Sequence, residues 1–240
     1  MRFTLKSTDA WALGFMWFSI AIANGQTGGQ NIYEWFDSAT GAHNASINNG
    51  PVYYNQYKSR DVSITPFLGL DEFVPGDVRY DGQPYFNVPL KYDIHNDVLV
   101  MQPAAGGNFT SVRLIAEKTA EFRIHNRKFI NLEFGIAKVP EFINGFYEEN
   151  FVGNGFIFYV KHHKHAKEII ANQALFTDYT ADDEFIIFKN GYHKIGSKNS
   201  IVKLFPELKN EINQYYSSNS NKSEIQFMES LFQYLNTFLK

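Results

Sequence analysis

Lys161-His162-His163-Lys164-His165-Ala166-Lys167 places three imidazoles and three ammonium groups within seven residues. Side chains alternate between the faces of a strand, so Lys161, His163 and His165 fall together if the apolar run from Gly155 continues through this tract. Two imidazoles at that spacing can share a metal ion, zinc being the ordinary partner, with a third ligand supplied from elsewhere. His193 is the candidate third ligand, because the hairpin that carries it is expected nearby. Lys161, His162 and Lys164 offer a different chemistry, a cationic patch for an anion or polyanion. Such a patch gains charge below the ~6.5 pKa of free histidine. The tract equally suits a solvated strand end whose charges discourage edge-to-edge pairing.

Carboxylates cluster at Asp71-Glu72, Glu148-Glu149 and Asp182-Asp183-Glu184. Two of them at a defined separation could serve as acid and base on a glycosidic bond, a geometry that neighbours in sequence do not report. Tyr80, Tyr85 and Tyr92 could form an aromatic platform for carbohydrate or lipid, or pack in a sheet as aromatic residues on strands usually do. The chain has no G-x-S-x-G, no H-E-x-x-H and no phosphate-cradling G-x-x-x-x-G-K-[ST] or G-x-G-x-x-G. No catalytic residue is therefore assigned, and no cofactor is expected beyond the zinc considered above.

The elements that must position these groups follow from composition and periodicity. The chain has 240 residues, 44% hydrophobic, with 23 Phe, 14 Tyr, 3 Trp and no Cys. That length and apolar content exclude a wholly disordered chain and allow a sizeable core. Without cysteine there are no disulfides, thiolate zinc sites, iron–sulfur clusters or cysteine nucleophiles. A net charge of −3 provides no basic field for nucleic acid.

Arg2 and Lys6 precede an apolar run over 10–23 in which only Ser19 is polar, with Ala23 and Gly25 at its exit. A basic start, a short apolar centre and small exit residues predict a signal peptide over 1–25, cut before Gln26. The run is shorter than the ~20 residues that span a bilayer. No later run is long enough to span either, so the mature chain is expected in the periplasm or outside the cell. Residues 26–57 read as an N-terminal segment rich in Gly, Asn and Ser, partly loop.

Residues 58–240 read as a single β-rich domain. Asp81-Gly82, His95-Asn96-Asp97 and Asn190-Gly191 each separate two apolar, β-prone stretches, the pattern of hairpins. Further strands are expected over 111–116, 121–124, 128–134, 145–148 and 155–161. Short strands joined by tight turns imply an antiparallel meander or curved sheet. After Ser200 the period changes. Pro206 opens a helix over 207–216, and Ser223 with Gln226 resembles a capping box before apolar spacings to Leu239. The fold class is thus α+β, an antiparallel β-meander or curved sheet packed with two C-terminal helices.

Tyr80-Asp81-Gly82-Gln83-Pro84-Tyr85-Phe86-Asn87-Val88-Pro89-Leu90-Lys91-Tyr92-Asp93 resembles a segment of uncharacterised exported proteins of Bacteroidetes-type bacteria. The ending Ser197-Lys198-Asn199-Ser200-Ile201-Val202-Lys203-Leu204-Phe205-Pro206 is similar to theirs as well. The resemblance implies secretion past the inner membrane and a β-rich fold, and it implies no activity. The expected function is ligand binding or assembly in the envelope or outside the cell, without catalysis, the partner being an envelope protein, a lipid or a polyanion. One version, by analogy with periplasmic lipoprotein carriers, holds an acyl chain in an apolar cavity between sheet and helices. The alternative is a hydrolase of envelope or extracellular polymer, acting through carboxylates or through histidines with a metal.

Overall fold

Asp81 and Gly82 both take positive φ, 53° and 78°. This is the mirror-image turn whose twist matches a two-stranded ribbon, so β1 (Val74–Tyr80) and β2 (Gln83–Asp93) pair directly. His125 and Asn126, at 50° and 60°, do the same between β5 (Thr119–Ile124) and β6 (Arg127–Asn131). Asn190 and Gly191, at 55° and 135°, lie in the three-residue turn 189–191 between β11 (Glu184–Phe188) and β12 (Tyr192–Ile195). The remaining strands of the sheet are β3 (Val98–Met101), β4 (Val112–Arg113), β7 (Phe146–Gly153) and β8 (Phe156–Lys161). The computed structural model describes residues 46–103, 110–136, 138–219 and 223–239, all within one compact unit, Ser46–Lys240. The expected signal peptide and the cut before Gln26 lie outside the described residues.

Ten strands form one sheet in the order β12-β11-β8-β7-β6-β5-β1-β2-β3-β4, every neighbouring pair antiparallel. The sheet curls. Tyr92 on β2 meets Phe122 on β5, Phe129 on β6 and Phe146 on β7 at 5.2, 5.3 and 6.0 Å between ring centroids. Bulges at Gly76/Val78 and Glu149/Phe151 supply local bending. At Gly76 a Cβ would lie 2.5 Å from the Arg123 carbonyl oxygen, so only glycine admits this approach of strands.

Three helices follow the last strand: α1 (Lys198–Leu204), α2 (Lys209–Ser218) and α3 (Glu224–Asn236). The sequence pattern predicts two, because the seven residues of α1 are too few to display a helical period. Ser197 caps α1 in a reciprocal box with Ser200, the third helical residue. Ser223 precedes α3 without a side-chain capping bond, contrary to the box expected with Gln226. Ile201, Phe205, Leu208, Ile212, Met228, Leu231, Phe232 and Leu235 pack on Phe156, Phe158, Val160, Phe185, Ile187 and Ile195 of the sheet. The protein's own side chains therefore fill the space in which an acyl chain was expected.

The largest departure lies between β8 and β11. The chain leaves the sheet at His162-His163, forms a separate hairpin of β9 (Lys164–Ala171) and β10 (Ala174–Ala181), and returns at Asp182-Asp183. Lys161 and Glu184, at the two exits, remain paired across the sheet. Among the described residues no helix is long and apolar enough to cross a membrane.

Candidate functional site

Because β8 stops at Lys161, the Lys/His tract does not share one strand face. Lys161 is buried and donates to the Asp97 carboxylate and, at 2.8 Å, to the Asn144 carbonyl. Asp97 also accepts from the Tyr92 hydroxyl, whose pKa burial and that carboxylate push well above its ordinary value. His162 is 4% exposed and sits between Glu148 Oε2 at 2.6 Å and Asp183 Oδ1 at 2.9 Å. Burial disfavours its imidazolium, but the bonds to Asp183 and Glu148 outweigh burial and raise the pKa. Lys164 donates to the Thr65 and Phe67 carbonyls at 2.8 and 2.7 Å, and burial lowers its pKa. All three expected anion-patch residues are thus turned inward, each cation already bonded to oxygen.

His163 and His165 do come together, their rings 4.5 Å apart. His95, on the β2–β3 turn, lies 6.3 Å from His163 and is bonded through Nδ1 to the Lys164 carbonyl. His163 has a lowered pKa, from burial first and then from His165 and His95. His193 is elsewhere. It pairs with Ile187, which pairs with Phe158, five residues back along β8 from His163. At ~3.3 Å per residue that is roughly 16 Å along the strand. Its Nε2 bonds to the Lys189 carbonyl at 3.1 Å. Among the described residues no three His, Asp or Glu side chains are arranged to hold a metal ion.

Of the acidic clusters, Asp71 binds Lys91 at 2.5 Å and Glu72 is exposed, while the other two are spent on neighbours. Asp182 binds His165 at 2.7 Å, Asp183 and Glu148 bind His162, Glu149 binds Lys128 at 3.1 Å, and Glu184 binds Lys194 at 2.6 Å. Tyr80 and Tyr92 are buried, and Tyr85 bonds Ser46 at 3.1 Å, so these three form no exposed platform.

A different set of tyrosines lines a cleft. Residues 52–57 cross the end of the sheet as a strap, anchored by a Val52–Val112 bridge and by Tyr53 N–H donating to the Ser111 carbonyl at 2.8 Å. Asp93, fully buried, organises both walls. It accepts from the Tyr53 hydroxyl at 2.9 Å, from the His95 and Asn96 backbone N–H groups at 3.0 Å each, and from Asn96 Nδ2 at 2.8 Å. Burial, and then Asp93, raises the Tyr53 pKa, so that phenol remains a donor. Tyr57 is held edge-on by His95 and Tyr179, at 5.5 and 6.2 Å. The resulting cleft has a volume of about 440 Å³ and presents Tyr53, Tyr54, Tyr57, Asn55, Asn96 and Arg113.

Among the described residues its lining contains no carboxylate and no imidazole. Tyr54 is 74% exposed, and Arg113 is exposed with no ion pair to any described residue. Aromatic faces, amides and one guanidinium can hold a polar ligand, but they offer no nucleophile or general base. In sequence, residues 53–57 fall in the segment that reads as partly loop, Asn96 in a hairpin turn and Arg113 in the strand expected over 111–116, and none is singled out. The available signal was the interleaving of rings and amides in Tyr53-Tyr54-Asn55-Gln56-Tyr57. Compared with known protein families, characterised proteins and solved structures, the chain finds no match.

Proposed function

We propose that the protein is an exported, non-enzymatic binding protein of the cell envelope or extracellular space, which takes its ligand in the cleft between the strap and the β2–β3 turn. The observation that carries this reading is the lining of that cleft: three tyrosines, amides and a guanidinium with no ion pair to any described residue, fixed from behind by Asp93, with no acid or base among the described residues there. Export is supported by the basic start, the short apolar run and the small exit residues of the first 25 residues. Hydrolysis draws less support, because the carboxylates of the 148–149 and 182–184 clusters bind neighbouring cations and histidines.

The test is binding of the purified protein to fractionated envelope and capsular polymers, by sedimentation for insoluble fractions and calorimetry for soluble ones. The expected result is saturable binding, weakened at least tenfold in Tyr54→Ala, with polymer length unchanged after prolonged incubation. Tyr54 is largely exposed, so its truncation leaves the core intact. Progressive shortening of a polymer would instead establish the hydrolase, and equal binding by Tyr54→Ala would remove the ligand from this cleft.

A further inference from the structure

We infer that the ligand of the strap cleft is an acidic saccharide, a sugar unit whose ring carboxylate is gripped by Arg113; this rests on the binding role proposed above. A guanidinium presents a planar fork that matches a carboxylate two bonds at a time. Arg113 is fixed at its backbone, since β4 pairs with β3 and the Arg113 N–H donates to the Pro51 carbonyl at 2.9 Å. Its side chain is exposed, lines the cleft and has no carboxylate partner among the described residues. An exposed arginine with no ion pair to any described residue, set beside aromatic rings, is a docking point for an external anion.

The other walls select the rest of the ligand. Tyr54 and Tyr57 offer ring faces on which the apolar C–H face of a sugar can lie, with hydroxyl tips for its polar rim. Asn55, Gln56 and Asn96 line the same space, and their amides both donate and accept, as a ring of sugar hydroxyls requires. In Asn96 the amide nitrogen is bonded to Asp93, which leaves the oxygen to accept a ligand hydroxyl. Among the described residues Val52 and Val98 are the only aliphatic ones of the lining, too little apolar surface for an acyl chain. The volume falls within the ~300–1,000 Å³ usual for small-ligand sites. A phosphate is disfavoured, because one side-chain cation is present and no helix begins at the cleft.

The deciding experiment titrates the purified chain with oligomers of galacturonate, of mannuronate and guluronate, and of hyaluronan, each beside its methyl ester. The ester keeps every hydroxyl and removes only the charge. At least one acid should bind, and its ester should bind at least tenfold more weakly. Arg113→Gln should bring the acid down to the level of the ester. Arg113→Lys, which keeps the charge without the fork, should fall between them. An acid and its ester bound equally well would overturn the carboxylate assignment while leaving the cleft a binding site. No binding by any acid in the panel would also overturn it, and the fate of the cleft would then rest on whether Tyr54→Ala weakens binding to envelope polymer.

Discussion

A Cβ on residue 145 would lie 1.9 Å from Asp97 Oδ2, which makes glycine a condition of the Asp97–Lys161 pair. Gly145 also has φ of 58°, a region that costs other residues about 1–2 kcal/mol. At Gly82, φ is 78° but no atom lies within 4 Å of the added carbon. Gly82→Ala should therefore cost about 1 kcal/mol, the backbone strain alone. Gly145→Ala should cost about 3 kcal/mol or more, because it also displaces a buried charge from its partner. Urea unfolding of the two variants separates the terms, and equal losses would show that Asp97 moves aside freely. This interaction could not be read from the chain, since Asp97 and Lys161 become neighbours only when the sheet curls. The same curl brings His95, not His193, to the histidine pair. It also buries Tyr92, which the sequence left open to either face.

Elements were legible where turn chemistry was strong. Asp81-Gly82 and Asn190-Gly191 announce their hairpins, since glycine enters positive φ without strain. β9 and β10 turn through Asn172-Gln173, at 49° and 62°, where no glycine gives the signal, and their polar alternation matches an ordinary loop. The joint of that hairpin is built from histidine–carboxylate pairs. His162 bonds Glu148 and Asp183, Arg127 stands 3.7 Å from Glu148, the Phe129 ring lies 6.0 Å from His162, and His165 bonds Asp182. Since the folded pKa of His162 stands above the ~6.5 of the unfolded chain, its stabilisation is complete below that value. It is lost as pH rises through the folded pKa. His163, with a lowered pKa, acts in the opposite sense and loses its contribution as pH falls. The stability difference between the natural chain and His162→Gln should therefore shrink from pH 5.5 to pH 9, while His163 cancels between them. A difference independent of pH would mean that His162 carries no proton at the joint.

The helical layer makes a simpler prediction. Phe232 on α3 is fully buried against Phe156, Phe158 and Phe205, at 5.8, 4.7 and 6.4 Å between centroids. Phe232→Ala should cost about 3–5 kcal/mol through lost transfer and an unfilled cavity. Calorimetry would register this as a lower Tm, whereas a loss under 1 kcal/mol would show that the helices repack. The apolar face of α3 was legible in the spacing of Ile225, Met228, Leu231, Phe232 and Leu235. The strands it covers were legible only as strands, since which face of the sheet meets the helices depends on topology.

At the scale of the whole chain, the absence of cysteine leaves stability to packing and polar pairing alone. The protein recovered from the envelope or the medium should have the mass of residues 26–240, and an intact mass that includes residues 1–25 would overturn the proposed export signal. The strand order carries a kinetic consequence. β1–β4 and β5–β12 are each meanders whose pairings join nearby stretches of chain, interrupted only by the β9–β10 excursion. The seam between them is the β1–β5 ladder, where Val78 lies opposite Phe122. Closing that longer loop costs entropy before its contacts repay it, so each half can zip up early while the weld between them sets the pace of folding. Tyr92, meeting Phe122, Phe129 and Phe146 across this seam, is the residue whose truncation should slow refolding most.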